Sequence, residues 1–177
     1  ILWSFYQQNR WKMRNRSHTL EEDSTDILTW SLQTIISKCI HHYQLSLQKP
    51  EYLKTISIES FEDVIVKGNL RYLRPTLYDF LAHQALTFYR THETGLVKPK
   101  NHFALDKTEY LYSINDFLDQ EIVSTDTFSM HFHAIKLFQD LLRFHSKEMA
   151  TSPGLIELNL DRLEFVHSEA SFSDADS

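Results

Sequence analysis

Asp79 and His83 stand one helical turn apart, a spacing that sets a carboxylate and an imidazole on one face of a helix, where they can share a proton or offer two ligands to a cation. No third ligand stands at matching spacing, so the plainer expectation is a polar contact, to each other or to a neighbouring loop, that fixes helix register. His131-x-His133 puts two rings about 200° apart around a helix, and they converge only if that stretch is a strand. His41 and His42 diverge for the same reason. Cys39 is the only cysteine, set among Ile35, Ile36 and Ile40, and reads as a small buried hydrophobe rather than a nucleophile. A G-x-S-x-G elbow for serine catalysis is missing, and adjacent carboxylates occur at Glu21-Glu22-Asp23, which a solvated loop explains. The sequence thus offers no catalytic residue, no metal site and no cofactor site, and the expectation is a protein that is not an enzyme.

Three glycines in 177 residues, Gly68, Gly95 and Gly154, each stand alone, so neither a Walker loop nor a dinucleotide fingerprint can be built. The net charge is −6. Its one basic cluster, Arg10, Lys12, Arg14 and Arg16, lies beside Trp3 and Trp11 but is followed by Glu21, Glu22, Asp23 and Asp26, which cancel its field, so no nucleic-acid partner is expected. Asn15-Arg16-Ser17 fits a glycosylation sequon, a match too short to use. No apolar run is long enough for direct membrane insertion. The start at Ile1 is expected to mark a piece of a longer polypeptide.

Glycine scarcity and apolar residues at three-to-four-residue intervals predict a mainly α fold: an irregular helical bundle or a short superhelical, tetratricopeptide-like array with at most minor β structure. A single helical domain over residues 1–167 with an acidic tail or linker over 168–177 is the expected organisation. The first helix covers residues 1–14. A long helix is predicted over 26–48, started by Asp23 to Asp26 and stopped before Pro50. Residues 51–56 are a helical turn or connector, and Ser60-x-x-Asp63 resembles a capping box ahead of a short segment, helix or strand, that ends at Gly68. Pro75 and Thr76 open a helix over 76–90, with Thr76 and Asp79 as cap pair and Leu77, Phe80, Leu81, Ala85 and Phe88 on one face. Thr91 to Asn101 reads as a loop. Ser113-x-x-Asp116 caps a helix through Phe117, Leu118 and Ile122, and Ser124-Thr125-Asp126 starts the last long one, about 127–149. After Ser152-Pro153 a short helix, an ordered loop or, over Ile156 to Leu160, a strand all fit. The long helices recur at roughly fifty residues, without the 34-residue signature of tetratricopeptide repeats.

Aromatic residues at Tyr6, Trp11, Trp30, Tyr72, Tyr78, Tyr89, Tyr110 and Tyr112 could line a groove for a protein segment, although helix packing accounts for most of them. Trp3, Trp11 and Trp30 are the candidate interaction residues, and Pro75, Thr76, Tyr78, Asp79 and His83 the candidate structural motif.

Three stretches carry a likeness: Tyr6-Gln7-Gln8-Asn9-Arg10-Trp11, Leu73-Arg74-Pro75-Thr76-Leu77-Tyr78-Asp79-Phe80-Leu81-Ala82-His83, and Leu160-Asp161-Arg162-Leu163-Glu164-Phe165. Together they resemble the helical N-terminal region of large bacterial alpha-2-macroglobulin-like proteins. The resemblance implies a helical module of an exported endopeptidase inhibitor in the periplasm or cell envelope, a non-catalytic scaffold that spaces or docks the inhibitor. Its implied partners are the macroglobulin domains of the same chain and, beyond them, another protein or a protease. Covalent members hold a thioester in a C-x-E-Q motif. Here Cys39 is followed by Ile40, His41 and His42, so no inhibitory residue carries over. The rival expectation is a free-standing helical-repeat module that captures a peptide or protein in its groove. An aromatic patch at the centre of the array would mark the groove, and apolar exposure on the end faces would mark the scaffold.

Overall fold

Ser31, Thr76, Ser113 and Ser152 each cap a helix with a side-chain oxygen, and the computed structural model, which describes residues 1–13, 26–66, 68–91, 100–148 and 152–170, holds seven α-helices among those residues. These are α1 (Leu2–Met13), α2 (Leu32–Ser46), α3 (Pro50–Leu53), α4 (Leu77–Tyr89), α5 (Ile114–Leu118), α6 (Met130–Glu148) and α7 (Pro153–Glu169). Short 3-10 turns occupy Ile27–Thr29, Ile58–Phe61, Arg71–Leu73 and Thr108–Leu111. The longer helices pack serially: α1 on α2, α2 on α4, α4 on α6 and α6 on α7, with α3 laid on α4 and α5 on α6. Among the described residues the sole β pairing is an isolated antiparallel bridge between Ser57 and Thr76. There Ile58 N–H donates to the Pro75 carbonyl at 2.9 Å and Leu77 N–H to the Ile56 carbonyl at 2.8 Å. The expected mainly α fold with minor β structure is therefore what the chain adopts.

The core runs between α4 and α6. Ala82 and Ala85 are small enough to bring α4 close to Ala134, Ile135, Phe138, Leu141 and Leu142, all fully buried. Phe165 and Val166 of α7 close the far side, Phe165 lying 5.8 Å from the Phe138 ring. Ile35, Ile36, Cys39 and Ile40 of α2 cover the near side, and burial pushes the Cys39 thiol up to about 11, so it stays protonated and packs as a hydrophobe.

Several predicted boundaries move. The long helix expected over 26–48 is broken, because Asp26 caps a three-residue 3-10 turn and Ser31 begins α2 afresh by accepting from Thr34 N–H at 3.1 Å. Ser57 rather than Ser60 caps the turn at 58–61, and Val64 and Val66 are exposed in turns instead of forming a strand. Helix α5 ends at Leu118 and leaves Ile122 buried in an extended stretch. Helix α6 starts at Met130, since the Asp126 carboxylate is engaged by the amides of Phe103 and Phe128, each at 3.2 Å. After Ser152, which accepts from Leu155 N–H at 3.1 Å, the chain makes a 17-residue helix in place of the short element or strand. Leu155, Leu158, Arg162, Phe165 and Val166 are buried at helical spacing, and the apparent alternation at 156–160 only reflects Ile156 and Leu160 facing outward. That helix runs through Glu169, one residue past the expected start of the tail. Arg14, Asn15, Arg16, Glu21-Glu22-Asp23, the centre of the loop after Thr91 and residues 171–177 lie outside the described residues.

Gly154 allows α7 to lie against the 3-10 turn at Arg71–Leu73. A Cβ placed there would stand 2.7 Å from the Leu73 carbonyl oxygen, and because the obstacle is backbone it has no rotamer to move into. Gly154→Ala should therefore destabilise the chain by about 1–3 kcal/mol despite the better helix propensity of alanine. Chemical denaturation measures this, and an unchanged or raised midpoint would refute the close approach.

Candidate functional site

The described residues hold two groups of buried polar side chains, and each ties one helix to the rest of the stack. Thr76, whose backbone is extended, offers its hydroxyl oxygen to Asp79 N–H at 3.1 Å, while the Asp79 carboxylate accepts from Thr76 N–H at 3.1 Å and from the Thr76 hydroxyl at 2.8 Å. This capping box matches the expected cap pair. The second Asp79 oxygen accepts from His145 Nε2 at 2.9 Å, across from α6, with both side chains buried. Asp79 and His83 do bond each other, but through the Asp79 backbone and not its carboxylate. His83 bonds through Nδ1 to the Asp79 backbone carbonyl at 2.8 Å, and the carboxylate turns to His145 instead. His145 has a trace in the sequence that can be read in hindsight. It continues the Phe138, Leu141, Leu142 spacing, which makes it a polar residue in a core position of α6. Tyr78 packs edge-on against Phe144 at 5.7 Å, with Lys54 Nζ 5.2 Å from its ring centre, and Pro75 supplies the carbonyl of the β bridge.

Arg162 organises the second group. Its Nη1 donates to the Tyr110 carbonyl at 2.8 Å, its Nη2 donates to the Tyr112 carbonyl and to Asn159 Oδ1, both at 2.8 Å, and its guanidinium stacks 4.4 Å from the Phe117 ring centre. No carboxylate is among these contacts. Burial alone lowers the guanidinium to about 10, which still leaves it charged at neutral pH. Nearby, Gln139 of α6 donates through Nε2 to the carbonyls of Phe117, at 3.0 Å, and Gln120, at 2.8 Å, closing the end of the five-residue α5.

Two rings fall below the ordinary imidazole range. His83 is lowered chiefly by burial and further by Arg74, against the opposing pull of Asp79 and Glu157. His133, lowered chiefly by burial, bonds through Nε2 to the Thr127 carbonyl at 2.8 Å. The unfolded chain takes up protons at these positions first, near the ordinary imidazole value of 6.5, so stability is fully present above that pH and falls as pH drops below it toward the folded values. The loss is at most about 1.4 kcal/mol per pH unit for each ring. Urea unfolding at pH 7.5 and 5.5 reads it, and equal midpoints would show that the rings titrate alike in both states.

Clefts open on the surface of the described residues. One, of about 410 Å³, lies between the connector around Arg71, α4 and Glu157 of α7. Another, of about 570 Å³, lies between α3, α4 and α6, where Lys54 pairs with Glu51 at 2.7 Å and Arg143 with Asp140 at 3.3 Å, and Lys147 also lines it. Among the described residues no three His, Cys, Asp or Glu side chains gather as a metal site would require. His131 lies 3.6 Å from Glu169, on a different face from His133, and the exposed His41 and His42 rings touch only edge-on at 5.7 Å. No described helix is long and apolar enough to cross a membrane.

The candidate interaction tryptophans do not converge. Trp3 stacks on Tyr6 at 5.1 Å and meets Phe88 edge-on at 5.0 Å, joining α1 to α4. Trp30 is half-buried with Lys38 Nζ 6.0 Å from its ring, and Trp11 is 73% exposed near the far end of α1. Of the other aromatic residues weighed for a groove, Tyr6, Tyr78, Tyr89 and Tyr110 are core, while Tyr72 and Tyr112 are exposed. Helix packing claims half of the groove candidates, because each closes a gap between neighbouring helices. No protein-family model, curated protein or solved structure matches this chain.

Proposed function

We propose that this chain is a non-catalytic helical docking module, placed in the N-terminal helical region of a bacterial alpha-2-macroglobulin-like endopeptidase inhibitor and exported with it to the periplasm or cell envelope. The observation that carries the docking role is the outer face of α7. Ile156 and Leu160, one turn apart, are 55% and 60% exposed at the end of the serial stack. An array that continues into further structure leaves an apolar end face of this kind. The buried polar residues support a scaffold rather than a reactive centre, since Asp79, Gln139, His145 and Arg162 each bond to a neighbouring element. The family part rests on the three sequence stretches quoted above, of which the Leu73–His83 block also nucleates α4 and holds it to α6.

The test begins with the reading frame on both sides of these residues, which should encode β-sandwich macroglobulin domains. The adjoining domain, added to the isotope-labelled chain, should shift the methyl signals of Ile156 and Leu160 and the backbone amides of α7, and Ile156→Glu with Leu160→Glu should abolish the amide shifts. A reading frame without such domains ends the family assignment. Sandwich domains that leave both methyl signals unmoved end the docking role.

A further inference from the structure

The 410 Å³ cleft has a floor and walls of different chemistry. Ile58, Leu70, Leu73 and Phe80 make its apolar walls, and His83 lines it from α4. His83 is 8% exposed, and its Nε2 has no hydrogen-bond partner, whereas Nδ1 faces the Asp79 carbonyl at 2.8 Å. A carbonyl only accepts, so Nδ1 carries the proton, and Nε2 is left an unpaired acceptor with under 1 Å² of accessible surface, which a donor reaches only when the side chains lining the cleft move aside. Burial and the nearby Arg74 keep the ring neutral. The charged groups of the cleft's inner side answer each other, Arg74 Nη2 bonding Glu157 at 2.6 Å, so an ionic occupant would have to break that pair. What fits is an apolar group of modest size with one hydrogen-bond donor. Of its lining residues, Val66 and Leu70 are exposed. A cleft edged by exposed apolar side chains is an arrangement in which a protein partner seats an aromatic anchor.

We propose that this cleft receives a tyrosine or tryptophan side chain of a partner polypeptide, its O–H or N–H donating to His83 Nε2 and its ring lying against Leu73 and Phe80. The site is separate from the outer face of α7 and stands on its own chemistry, whether or not the chain belongs to an inhibitor.

The probes are p-cresol, toluene and N-acetyl-tyrosinamide, titrated into the 15N-labelled chain while the His83 ring nitrogens and the amides of residues 68–84 are followed. p-Cresol is expected to move the Nε2 resonance in the direction of an accepted hydrogen bond. Toluene, which has the ring without the donor, should bind about tenfold more weakly. N-acetyl-tyrosinamide should bind more tightly than p-cresol, because its backbone reaches the apolar rim. His83→Phe should bind p-cresol and toluene alike, and if that variant does not fold, the Nε2 shift in the unaltered chain decides. Equal affinity for toluene and p-cresol, or an unmoved Nε2 resonance, overturns the donor–acceptor site. Binding of p-cresol without N-acetyl-tyrosinamide assigns the cleft to a small phenol and overturns the polypeptide partner.

Discussion

Arg162→Ala should cost about 3–5 kcal/mol, a large share of the total stability typical of a domain this size of about 5–15 kcal/mol. The side chain has no exposed surface, and its loss leaves the Tyr110 and Tyr112 carbonyls and Asn159 Oδ1 without their donor and the Phe117 ring without its stacked guanidinium. Each buried acceptor left unpaired costs about 1–3 kcal/mol. Buried charges are not always stabilising, since a well-packed apolar replacement sometimes matches them. Here the partners are backbone carbonyls of a 3-10 turn and the residue after it, which no substitution removes. Arg162→Met should therefore remain destabilising by about 2 kcal/mol or more even though it fills most of the space. Arg162→Lys should fall between, because a single ammonium cannot reach both carbonyls as a planar fork does. Guanidinium chloride unfolding of the three variants tests the order, and a methionine variant as stable as the parent would show that the carbonyls find other donors.

The second large effect is expected at Asp79. Asp79→Ala removes the reciprocal cap of α4 and leaves His145 Nε2 buried without its acceptor, for a loss of about 3–5 kcal/mol. Asp79→Asn keeps the size and an oxygen for one of the two tasks but not both, so it should cost less. The decisive measurement is a double-mutant cycle with His145→Ala. Groups bonded at 2.9 Å across two helices should show a coupling energy of about 1 kcal/mol or more. Strictly additive losses would mean that the carboxylate serves α4 alone and that α4 and α6 are held together by packing without it.

Local chemistry was legible where partners lie within a turn of one another. Thr76 and Asp79, Ser113 and Asp116, and Ser152 with Pro153 all mark helix starts in the sequence, because a cap needs only an acceptor side chain and an amide three residues on. The same rule misled at Asp26 and Asp126. Both are good caps by residue type, yet each holds a short turn or a distant amide and the helix begins later. Ser31 and Ser129 cap the true starts, each accepting from the amide three residues on at 3.1 Å, so several neighbouring residues of good capping type compete and residue type alone does not choose among them.

The sequence by itself determined that this protein is helical and which faces are apolar, because helix period, capping and the shortage of glycine are properties of neighbouring residues. Tertiary structure alone decided the order of the stack and the partners of the buried polar groups. His145 comes to Asp79 from 66 positions away and Arg162 reaches Tyr110 across 52, and such pairings are set by which helix faces pack together. The cleft at His83 belongs to the same class, since its walls come from the connector, α4 and α7 and exist only once those three have met.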